Sequence, residues 1–253
     1  MSFDPAHRQG QHAVRFDWGP TGAAATVADR AIVVDVLSFT TTVSVATARG
    51  ITVLPYPWRD GGAATYAEQH GAALAVGRLE ARDSGLADAV SLSPARMLAA
   101  TGVERVVLPS PNGSSIAFAL AASGAEVYAA SLRNAAAVAR AVVAGGGTVS
   151  VIAAGERWPD DTLRPAVEDL WGAGAVLAAL ADLGVTDLSP EARAAEAAYR
   201  GAVDLAALLG DCAGGRELIA KGFGEDVDVA AEQDAEQVVP VLAHGRFRAL
   251  AQS

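Results

Sequence analysis

The stretch I-V-V-D-V-L-S-F-T-T-T at residues 32–42 decides the fold. Three β-preferring apolar residues lead into Asp35, and three consecutive threonines then open an alanine-rich segment. An uninterrupted apolar run of this kind is typical of a strand that is buried on both faces of a parallel sheet. The free N–H groups of a helix that starts just after the strand would face the same crevice as the carboxylate. The stretch therefore predicts an anion-binding site at the carboxyl end of a buried strand.

Short apolar strands followed by a polar loop and a helix recur along most of the chain. Such strands are predicted at residues 52–56, 105–108, 126–129 and 148–153. Their alternation with helices requires crossover connections, which place helices on both faces of the sheet. The predicted fold is a three-layer α/β/α arrangement with a largely parallel or mixed central sheet. A single domain over residues 1–253 is predicted, with a helical excursion at about residues 190–222, because no linker rich in proline, glycine and serine divides the chain.

Segments without sustained periodicity are predicted to be loops. Residues 19–25 and 155–164 belong to this group. Residues 77–93 hold five charged side chains, and a loop of that length is either functional or mobile. Towards the C-terminus, one helix is predicted at residues 190–209 and closing strands at residues 227–230 and 238–242.

Composition limits the classes of function that the chain can have. Of its 253 residues, 51% are hydrophobic and 19% are charged, as in globular proteins, and the net charge of −10 argues against a nucleic-acid partner. The single cysteine, Cys212, excludes an internal disulfide and is interpreted as a structural thiol. No apolar run could cross a bilayer and the N-terminus has no signal-peptide core, so we expect a cytoplasmic protein without a membrane partner.

Asp35 is the first candidate site residue, since a carboxylate at the end of a buried strand is costly to desolvate unless a cation or several donors compensate. The hydroxyls of Thr40, Thr41 and Thr42 follow where the helix begins. Three β-branched residues are a poor start for a helix, which favours a functional role for them. The alternative is structural: Asp35 caps the helix or pairs with an arginine, and one threonine is the N-cap. Sequence alone leaves both interpretations open.

The segment S-P-N-G-S-S at residues 110–115 follows another predicted strand. Asn112 and Gly113 can take positive φ in a tight turn, and Ser114 and Ser115 stand at a helix start. Consecutive exposed N–H groups there would form a concave anion site, reinforced by the helix dipole. A plain strand-to-helix turn with a serine cap is the structural alternative.

The third candidate loop, residues 155–169, supplies charge. Arg157 and Arg164 could neutralise an oxyanion through bidentate hydrogen bonds. Glu168 and Asp169 are adjacent in the first turn of the next helix, about 100° apart, so both would reach one ion only at the edge of that helix. Acidic residues are also favoured at a helix N-terminus by the helix dipole alone, which is the structural alternative.

Familiar catalytic motifs are missing from the sequence. There is no G-x-x-x-x-G-K-[ST] loop and no G-x-S-x-G elbow, so neither a P-loop nucleotide triphosphatase nor an α/β-hydrolase is indicated. The four histidines are scattered away from the candidate loops, which argues against a zinc site or a phosphohistidine. Leu37 stands where a phosphatase of the haloacid dehalogenase class would have a second aspartate.

Taken together and in order, these motifs resemble the ComB family of magnesium-dependent 2-phosphosulfolactate phosphatases. The family's D-V-L-R and threonine cluster is similar to residues 33–42, and its T-N-G-[TS] turn to residues 111–114. Its strand, G-E or A-G loop and E-D pair are similar to residues 153–169, and its late D-[IV]-x-x-x-x-x-D stretch before V-V-P to residues 228–240. Ser38 departs from the pattern, because the family commonly has arginine there. The reaction type therefore carries over better than the substrate.

The resemblance implies a ComB-like fold and hydrolysis of a small acidic phosphomonoester, converting 2-phospho-3-sulfolactate into 3-sulfolactate and phosphate for coenzyme M biosynthesis. It implies Mg²⁺ as the cofactor, bridging Asp35 and one or both of Glu168 and Asp169 to a phosphate oxygen. The catalytic residues that it implies are Asp35, Glu156 and Arg157. The substrate-binding residues that it implies are Ser38, Thr40, Thr41, Thr42, Asn112, Gly113, Ser114, Ser115 and Arg164.

Other functions stay open at the level of sequence. A non-catalytic anion or small-metabolite binder would use the same crevice without a metal, and a sugar-phosphate or nucleotide transferase would need an acceptor. A phosphatase acting on a different phosphorylated hydroxy acid is a further alternative. Sequence does not distinguish a phosphoenzyme from direct attack by water. Nor does it reveal the oligomeric state, although an exposed Trp58 or Trp158 would suit a lid or a homo-oligomer interface.

Overall fold

The computed structural model describes residues 3–57, 61–83 and 90–251, except the side chains of residues 82 and 83. The strands of this part of the chain are β1 (Val14–Trp18), β2 (Arg30–Val34), β3 (Thr52–Tyr56), β4 (Ala73–Leu74), β5 (Arg105–Pro109), β6 (Glu126–Ala130), β7 (Val149–Ala153), β8 (Glu156–Arg157), β9 (Leu163–Arg164), β10 (Pro240–Ala243) and β11 (Arg246–Ala249). Strands β8 and β9 form a separate ribbon, and the other nine form one sheet.

Twelve α-helices accompany the sheet within the described residues. They are α1 (Gly19–Ala25), α2 (Phe39–Ala48), α3 (Gly62–His70), α4 (Arg78–Asp83), α5 (Pro94–Ala99), α6 (Gly113–Ala122), α7 (Ala135–Gly145), α8 (Val167–Asp182), α9 (Pro190–Arg200), α10 (Leu205–Asp211), α11 (Ala213–Ala220) and α12 (Gly224–Ala231). None of these helices has the length and apolar character needed to cross a membrane.

The sheet has the order β1-β7-β2-β6-β10-β11-β3-β5-β4 and is mixed. Strands β1, β7, β2 and β6 are parallel to one another, and so are β3, β5 and β4. The antiparallel pair of β10 and β11 joins the two parallel blocks. Because β2 lies between β7 and β6, residues 31–34 are completely buried, as their uninterrupted apolar run predicts.

Helices cover both faces of the sheet, which confirms the predicted three-layer α/β/α architecture. On one face, Ile32 and Val34 of β2 share a core with residues of α7, α8 and α9. On the other face, Val33 shares a core with Phe39 of α2 and Ile116 of α6. This alternation follows from the two-residue period of a strand. It leaves α2 and α6 on the same face, with both N-termini next to the end of β2.

The structure corrects three local predictions. Residues 19–25 form α1 rather than a loop, because Pro20 stands in the first turn of a helix, where its missing N–H costs nothing. Residues 155–164 include the hairpin of β8 and β9. Residues 227–230 belong to α12 rather than to a strand, and β11 is absent from the predicted strands. A run of valines and alanines fits either element, and the packing of α12 against α10 and α11 decides the outcome.

Two longer predictions are also only partly right. Residues 77–93 begin with α4 rather than with a loop, and residues 84–89 lie outside the described part. The helix predicted at residues 190–209 is two helices, because the side chain of Asp204 accepts a hydrogen bond from Ala207 N–H and starts α10. Trp58 lies outside the described residues, and the role suggested for the half-exposed Trp158 stays a prediction.

Candidate active site

The carboxylate of Asp35 lies between the end of β2 and the start of α2. Its Oδ1 atom accepts hydrogen bonds from the N–H groups of Ser38 (3.0 Å) and Phe39 (3.2 Å), and its Oδ2 atom accepts one from Gly113 N–H (3.2 Å). These N–H bonds stabilise the charged form. Burial acts more strongly in the opposite direction, so the pKa of Asp35 is raised. Asp35 is therefore a firmly positioned acid whose negative charge is only partly compensated.

The three threonines of α2 stabilise this turn from inside the protein. The hydroxyls of Thr40 and Thr41 donate to the carbonyl oxygens of Asp35 and Val36, at 2.8 Å each. The hydroxyl of Thr42 donates to another backbone carbonyl at 3.0 Å, and all three side chains are completely buried. The geometry thus gives the threonines a structural role that differs from the predicted contact with substrate. Their hydroxyls bond to backbone carbonyls and fix the direction in which α2 leaves β2.

The second loop meets the first at Gly113, the first residue of α6. Neither Asn112 nor Gly113 has positive φ, so the expectation of a positive-φ turn is wrong. Glycine is required instead by close approach, since a Cβ atom on Gly113 would lie 2.3 Å from Cδ1 of Phe39 and 2.9 Å from Oδ2 of Asp35. The same closeness brings the Gly113 N–H to the carboxylate.

The serines at the two helix starts contribute little side-chain chemistry. The hydroxyls of Ser114 and Ser115 donate to the carbonyls of Leu108 (3.3 Å) and Pro57 (3.2 Å). Ser38 and Asn112 are the N-cap residues of α2 and α6, but neither side chain makes a capping hydrogen bond. At these helix starts the N–H groups of Ser38, Phe39 and Gly113 donate to Asp35, so the Asp35 carboxylate itself occupies the predicted anion site.

Glu156 connects the third loop to the second. Its Oε2 atom accepts a hydrogen bond from Nδ2 of Asn112 (3.2 Å), whose Oδ1 atom in turn accepts one from Nε of Arg157 (3.3 Å). Burial and the nearby charge of Asp35 raise the pKa of Glu156 to about 7, although Arg164 acts in the opposite direction. Asn112 thus holds a carboxyl group whose pKa lies near neutral pH, where it can donate a proton.

Asp169 joins the ends of two central strands. Its Oδ1 atom accepts the N–H of Val36 (2.7 Å) and its Oδ2 atom accepts the N–H of Gly155 (2.8 Å). Burial, together with the charges of Asp35 and Glu168, raises the pKa of Asp169 well above its usual value. Each oxygen accepts one backbone N–H, so Asp169 ties the turn after β2 to the turn after β7 and stays a predicted metal ligand beside Asp35 and Glu168.

Glu168, the neighbour of Asp169, has the opposite character. It is 2% exposed, and its Oε2 atom is buried without a hydrogen-bond partner among the described residues. Its Oε1 atom lies against α11, where a Cβ atom on Gly214 would come within 2.3 Å of it. A buried carboxylate oxygen without a donor is rare, because desolvation then has no compensation. Glu168 is therefore the best candidate for a cation ligand in this cluster.

A cavity of about 430 Å³ opens beside these carboxylates. Glu156 and Arg164 line it, together with Leu37 and residues of α4 and α11. The guanidinium of Arg164 lies over the ring of Trp158, 5.8 Å from its centroid. Arg157 turns away and pairs with Asp161 at 3.2 Å. The structure thus brings Asp35, Glu156 and Arg164 to one place, whereas Arg157 reaches it through Asn112.

Sequence reasoning missed an ion pair at this cavity. Arg78 on α4 donates its Nε–H to Oδ2 of Asp226 on α12 at 2.6 Å. The sequence predicts a charged loop at residues 77–93, which contains Arg78, but it does not predict an ion-pair partner for Arg78. The sequence does not single out Asp226, because the residues that follow it are predicted to form a strand. The late family motif begins at Asp228 instead, and Asp228 is exposed. Helical spacing of Asp226 with the buried Ala230 was the available signal.

The donor set fits a hard divalent cation such as Mg²⁺. Within the described chain, no group of three or more acidic, histidine or cysteine side chains is arranged to hold a metal by itself. Mg²⁺ does not need such a cage, since it is commonly bound by one or two carboxylates, several waters and a phosphate of the substrate. Asp35 and Glu168 would supply the two carboxylates, and the charges of both act on Glu156. The unpartnered Oε2 atom of Glu168 is the observation that supports this fit.

Replacing Gly113 by alanine is expected to destabilise the protein by about 2 kcal/mol, the usual cost of an overpacked contact. The added methyl group would overlap the buried ring of Phe39 and push the Asp35 carboxylate away from its donors. Denaturation in urea would measure the change. Gly224→Ala is the matched control, because Gly224 is also a first helical residue and its nearest neighbour would lie 3.8 Å away. Equal stability of the two variants would contradict the close approach.

Comparison with known families identifies one match. The profile of the family described as 2-phosphosulpholactate phosphatase matches residues 20–245 of the 253-residue chain. The matched region includes Asp35, Gly113, Glu156 and Glu168, which lie on all three converging loops and the helix that follows. No curated protein is similar enough in sequence to be counted as a relative.

Proposed function

The chain belongs to the 2-phosphosulfolactate phosphatase family, a family of phosphoric monoester hydrolases, and we propose that it is a Mg²⁺-dependent phosphatase acting on a small phosphomonoester with a second acidic group. By family resemblance, the substrate is 2-phospho-3-sulfolactate and the products are 3-sulfolactate and phosphate. The observation that carries the proposal is the junction of three loops at Asp35, with Glu156 beside it. It combines a fixed carboxylate with a carboxyl group that can donate a proton near pH 7.

Hydrolysis breaks the bond between phosphorus and the oxygen of the hydroxy acid. Asp35 either attacks the phosphorus atom itself or orients the attacking water, and both roles need the position that its three N–H donors impose. The leaving oxygen needs a proton, which the protonated form of Glu156 supplies. Asn112 holds Glu156 in place for this step. Arg164, whose charge already acts on Glu156, offsets the negative charge that develops in the transition state.

Mg²⁺, when bound by Asp35 and Glu168, supplies Lewis-acid neutralisation of the phosphoryl oxygens. The protein's own contribution is to hold these two carboxylates in fixed positions near Glu156. Asp169 supports that arrangement by tying Val36 to Gly155. Asp169 remains a further candidate ligand beside Asp35 and Glu168, because accepting N–H groups does not prevent either aspartate from binding a cation.

The proposal is tested by phosphate release from a panel of phosphomonoesters in the presence of Mg²⁺. We expect 2-phospho-3-sulfolactate and related phosphorylated hydroxy acids to be hydrolysed, and nucleotides and sugar phosphates to be poor substrates. Ser38 supplies no charge, so a phosphorylated hydroxy acid without a sulfonate belongs in the panel as the alternative substrate. Tight binding of these compounds without turnover would replace the proposal by a non-catalytic binding function. Product formation that depends on an acceptor would indicate a transferase.

Removal of Mg²⁺ by a chelator is expected to abolish phosphate release, and added Mg²⁺ to restore it. Gly214→Ala tests the position of the ion without changing any charge, because the new methyl group would displace Oε1 of Glu168. We expect this variant to bind Mg²⁺ on the order of tenfold more weakly in calorimetry, the size typical of disturbed support around a ligand. Gly210→Ala is the control, since its nearest neighbour would lie 3.9 Å away. Unchanged Mg²⁺ affinity in Gly214→Ala would remove Glu168 from the metal site.

A further inference from the structure

A buried ion pair from outside the three loops borders the same cavity. Only 15% of the Arg78 side chain and 2% of the Asp226 side chain are exposed. Asp226 is held in turn by the hydroxyl of Ser93 and, at 3.2 Å, by the N–H of Ala95 at the start of α5. Contacts among α4, α5 and α12 thus hold one guanidinium in a single orientation. An aspartate with this many donors serves to position its partner.

The hydrogen bonding of Arg78 is incomplete. Its Nη2 atom is buried and has no hydrogen-bond partner in the part of the chain that the structure describes. Buried guanidinium donors are normally satisfied, so an unpartnered one indicates a missing acceptor. Arg78 lines the cavity that Glu156 and Arg164 also line. Its charge lowers the pKa of Asp35 against the effect of burial, which places Arg78 within electrostatic reach of the reacting group.

The other cations at this cavity are engaged differently. Lys221, the C-cap residue of α11, forms an ion pair with Glu217 of the same helix. Arg164 lies over Trp158, and its charge acts on Glu156, the proton donor. Arg78 comes from a different element, α4, lines the same cavity and keeps one donor without a partner among the described residues. A ligand with two anionic groups would therefore meet separate cations at its two ends.

We propose that Arg78, positioned by Asp226, binds the second acidic group of the substrate while the loops around Asp35 hold the phosphoryl group. This inference rests on the proposed phosphatase function and assigns the residue that would recognise the carboxylate or the sulfonate of its substrates. In such small molecules only a few carbon atoms separate the two acidic groups, so both fit in one cavity. A planar guanidinium suits either group, since it can donate two parallel hydrogen bonds.

Arg78→Gln tests the proposal with three substrates. Phosphorylated lactate offers a carboxylate, phosphorylated isethionate offers a sulfonate, and ethyl phosphate offers neither. For the acids that Arg78 recognises, we expect KM to rise on the order of 30-fold, as for the loss of a charge-assisted hydrogen bond. The rate with ethyl phosphate should stay within about twofold of the wild-type value, because that substrate has no group for Arg78. An equal loss with all three substrates would overturn the proposal and make Arg78 a phosphoryl-binding residue.

Asp226→Asn tests the positioning role. We expect KM for the acidic substrates to rise while kcat changes little, whereas a merely structural role would lower the melting temperature and leave KM alone. Arg216→Gln is the control for loss of an arginine, since Arg216 pairs with Asp211 at the surface. Calorimetry with 3-sulfolactate, which has no phosphate, separates the two claims. Binding that Arg78→Gln abolishes supports the subsite even if no turnover is found, and binding that survives this change overturns it.

Discussion

Replacing Asp35 by asparagine is expected to lower kcat for phosphate release on the order of 10³-fold while the protein stays folded. The loss follows from either role of the carboxylate, since a neutral amide neither attacks phosphorus nor orients water with negative charge. Folding should survive because the amide oxygen can still accept the N–H groups of Ser38 and Phe39. The substitution also removes a buried negative charge, and burial raises the pKa of the Asp35 carboxyl group. Steady-state kinetics at saturating Mg²⁺ and thermal unfolding measure the two effects.

Asp228→Asn is the control for this experiment. Asp228 lies two residues from Asp226 on α12 but is exposed, so wild-type kcat and stability are expected for its variant. If Asp35→Asn regained full activity at high Mg²⁺ concentration, Asp35 would be a metal ligand only and not the group that acts on phosphorus. Wild-type kcat at ordinary Mg²⁺ concentration would remove Asp35 from catalysis altogether.

The position of Asp35 could be predicted from sequence because it depends on one local pattern. A strand buried on both faces must be apolar throughout, so the first carboxylate after the run marks its carboxyl end. Because ligands of α/β proteins generally bind at the carboxyl edge of the sheet, this carboxylate is predicted to be a site residue. The same argument predicts Glu156 near Asp35, since Glu156 follows β7, the parallel neighbour of β2. It does not explain Asn112, because three antiparallel pairings make β5 run opposite to β2. Asn112 and Glu156 meet only through the tertiary fold. Their hydrogen bond joins two loops 44 positions apart in sequence.

The reasons behind several predictions could not be read from sequence. The Asn112–Gly113 pair suggests a turn with positive φ, yet the glycine is needed because Phe39 leaves no room for a side chain. From sequence, the hydroxyls of the threonines at the start of α2 are predicted to face the substrate. In the fold they are covered by neighbouring elements, and their hydroxyls satisfy backbone carbonyls. Composition identifies polar groups near a site but not the direction in which they point.

The pair of Arg78 and Asp226 illustrates the larger limit. The two residues are 148 positions apart, and neither belongs to a strand-end loop. Their meeting depends on how α12 packs against α5, which is a tertiary fact without a local pattern. A buried arginine needs a carboxylate for partial compensation of its desolvation, so one of the many acids had to be its partner. The sequence contains 29 acidic residues, and nothing local distinguishes Asp226 among them.

Replacing Glu156 by glutamine is expected to raise stability and lower activity. Burial raises the pKa of Glu156 from 4.5 to about 7 in the folded state. The folded protein therefore holds this proton more tightly than the unfolded chain, and the resulting stabilisation is complete below pH about 4.5 and is lost as the pH rises through about 7. Glutamine stays neutral throughout. At pH 8 without Mg²⁺, the variant should exceed the wild type by roughly 2–3 kcal/mol in free energy of unfolding, and at pH 4 the two should agree.

The effect of the same variant on activity depends on the leaving group. A protonated Glu156 is needed where the leaving alkoxide is strongly basic, so Glu156→Gln should slow hydrolysis of a phosphorylated hydroxy acid on the order of 10²-fold. With p-nitrophenyl phosphate, whose leaving group needs no proton, the loss should be only a few-fold. Wild-type kcat for the hydroxy acid should fall at alkaline pH as Glu156 loses its proton, and the variant should lack this decline. Glu104→Gln, an exposed site, is the control. Equal losses with both leaving groups would show that Glu156 positions other residues rather than donating the proton.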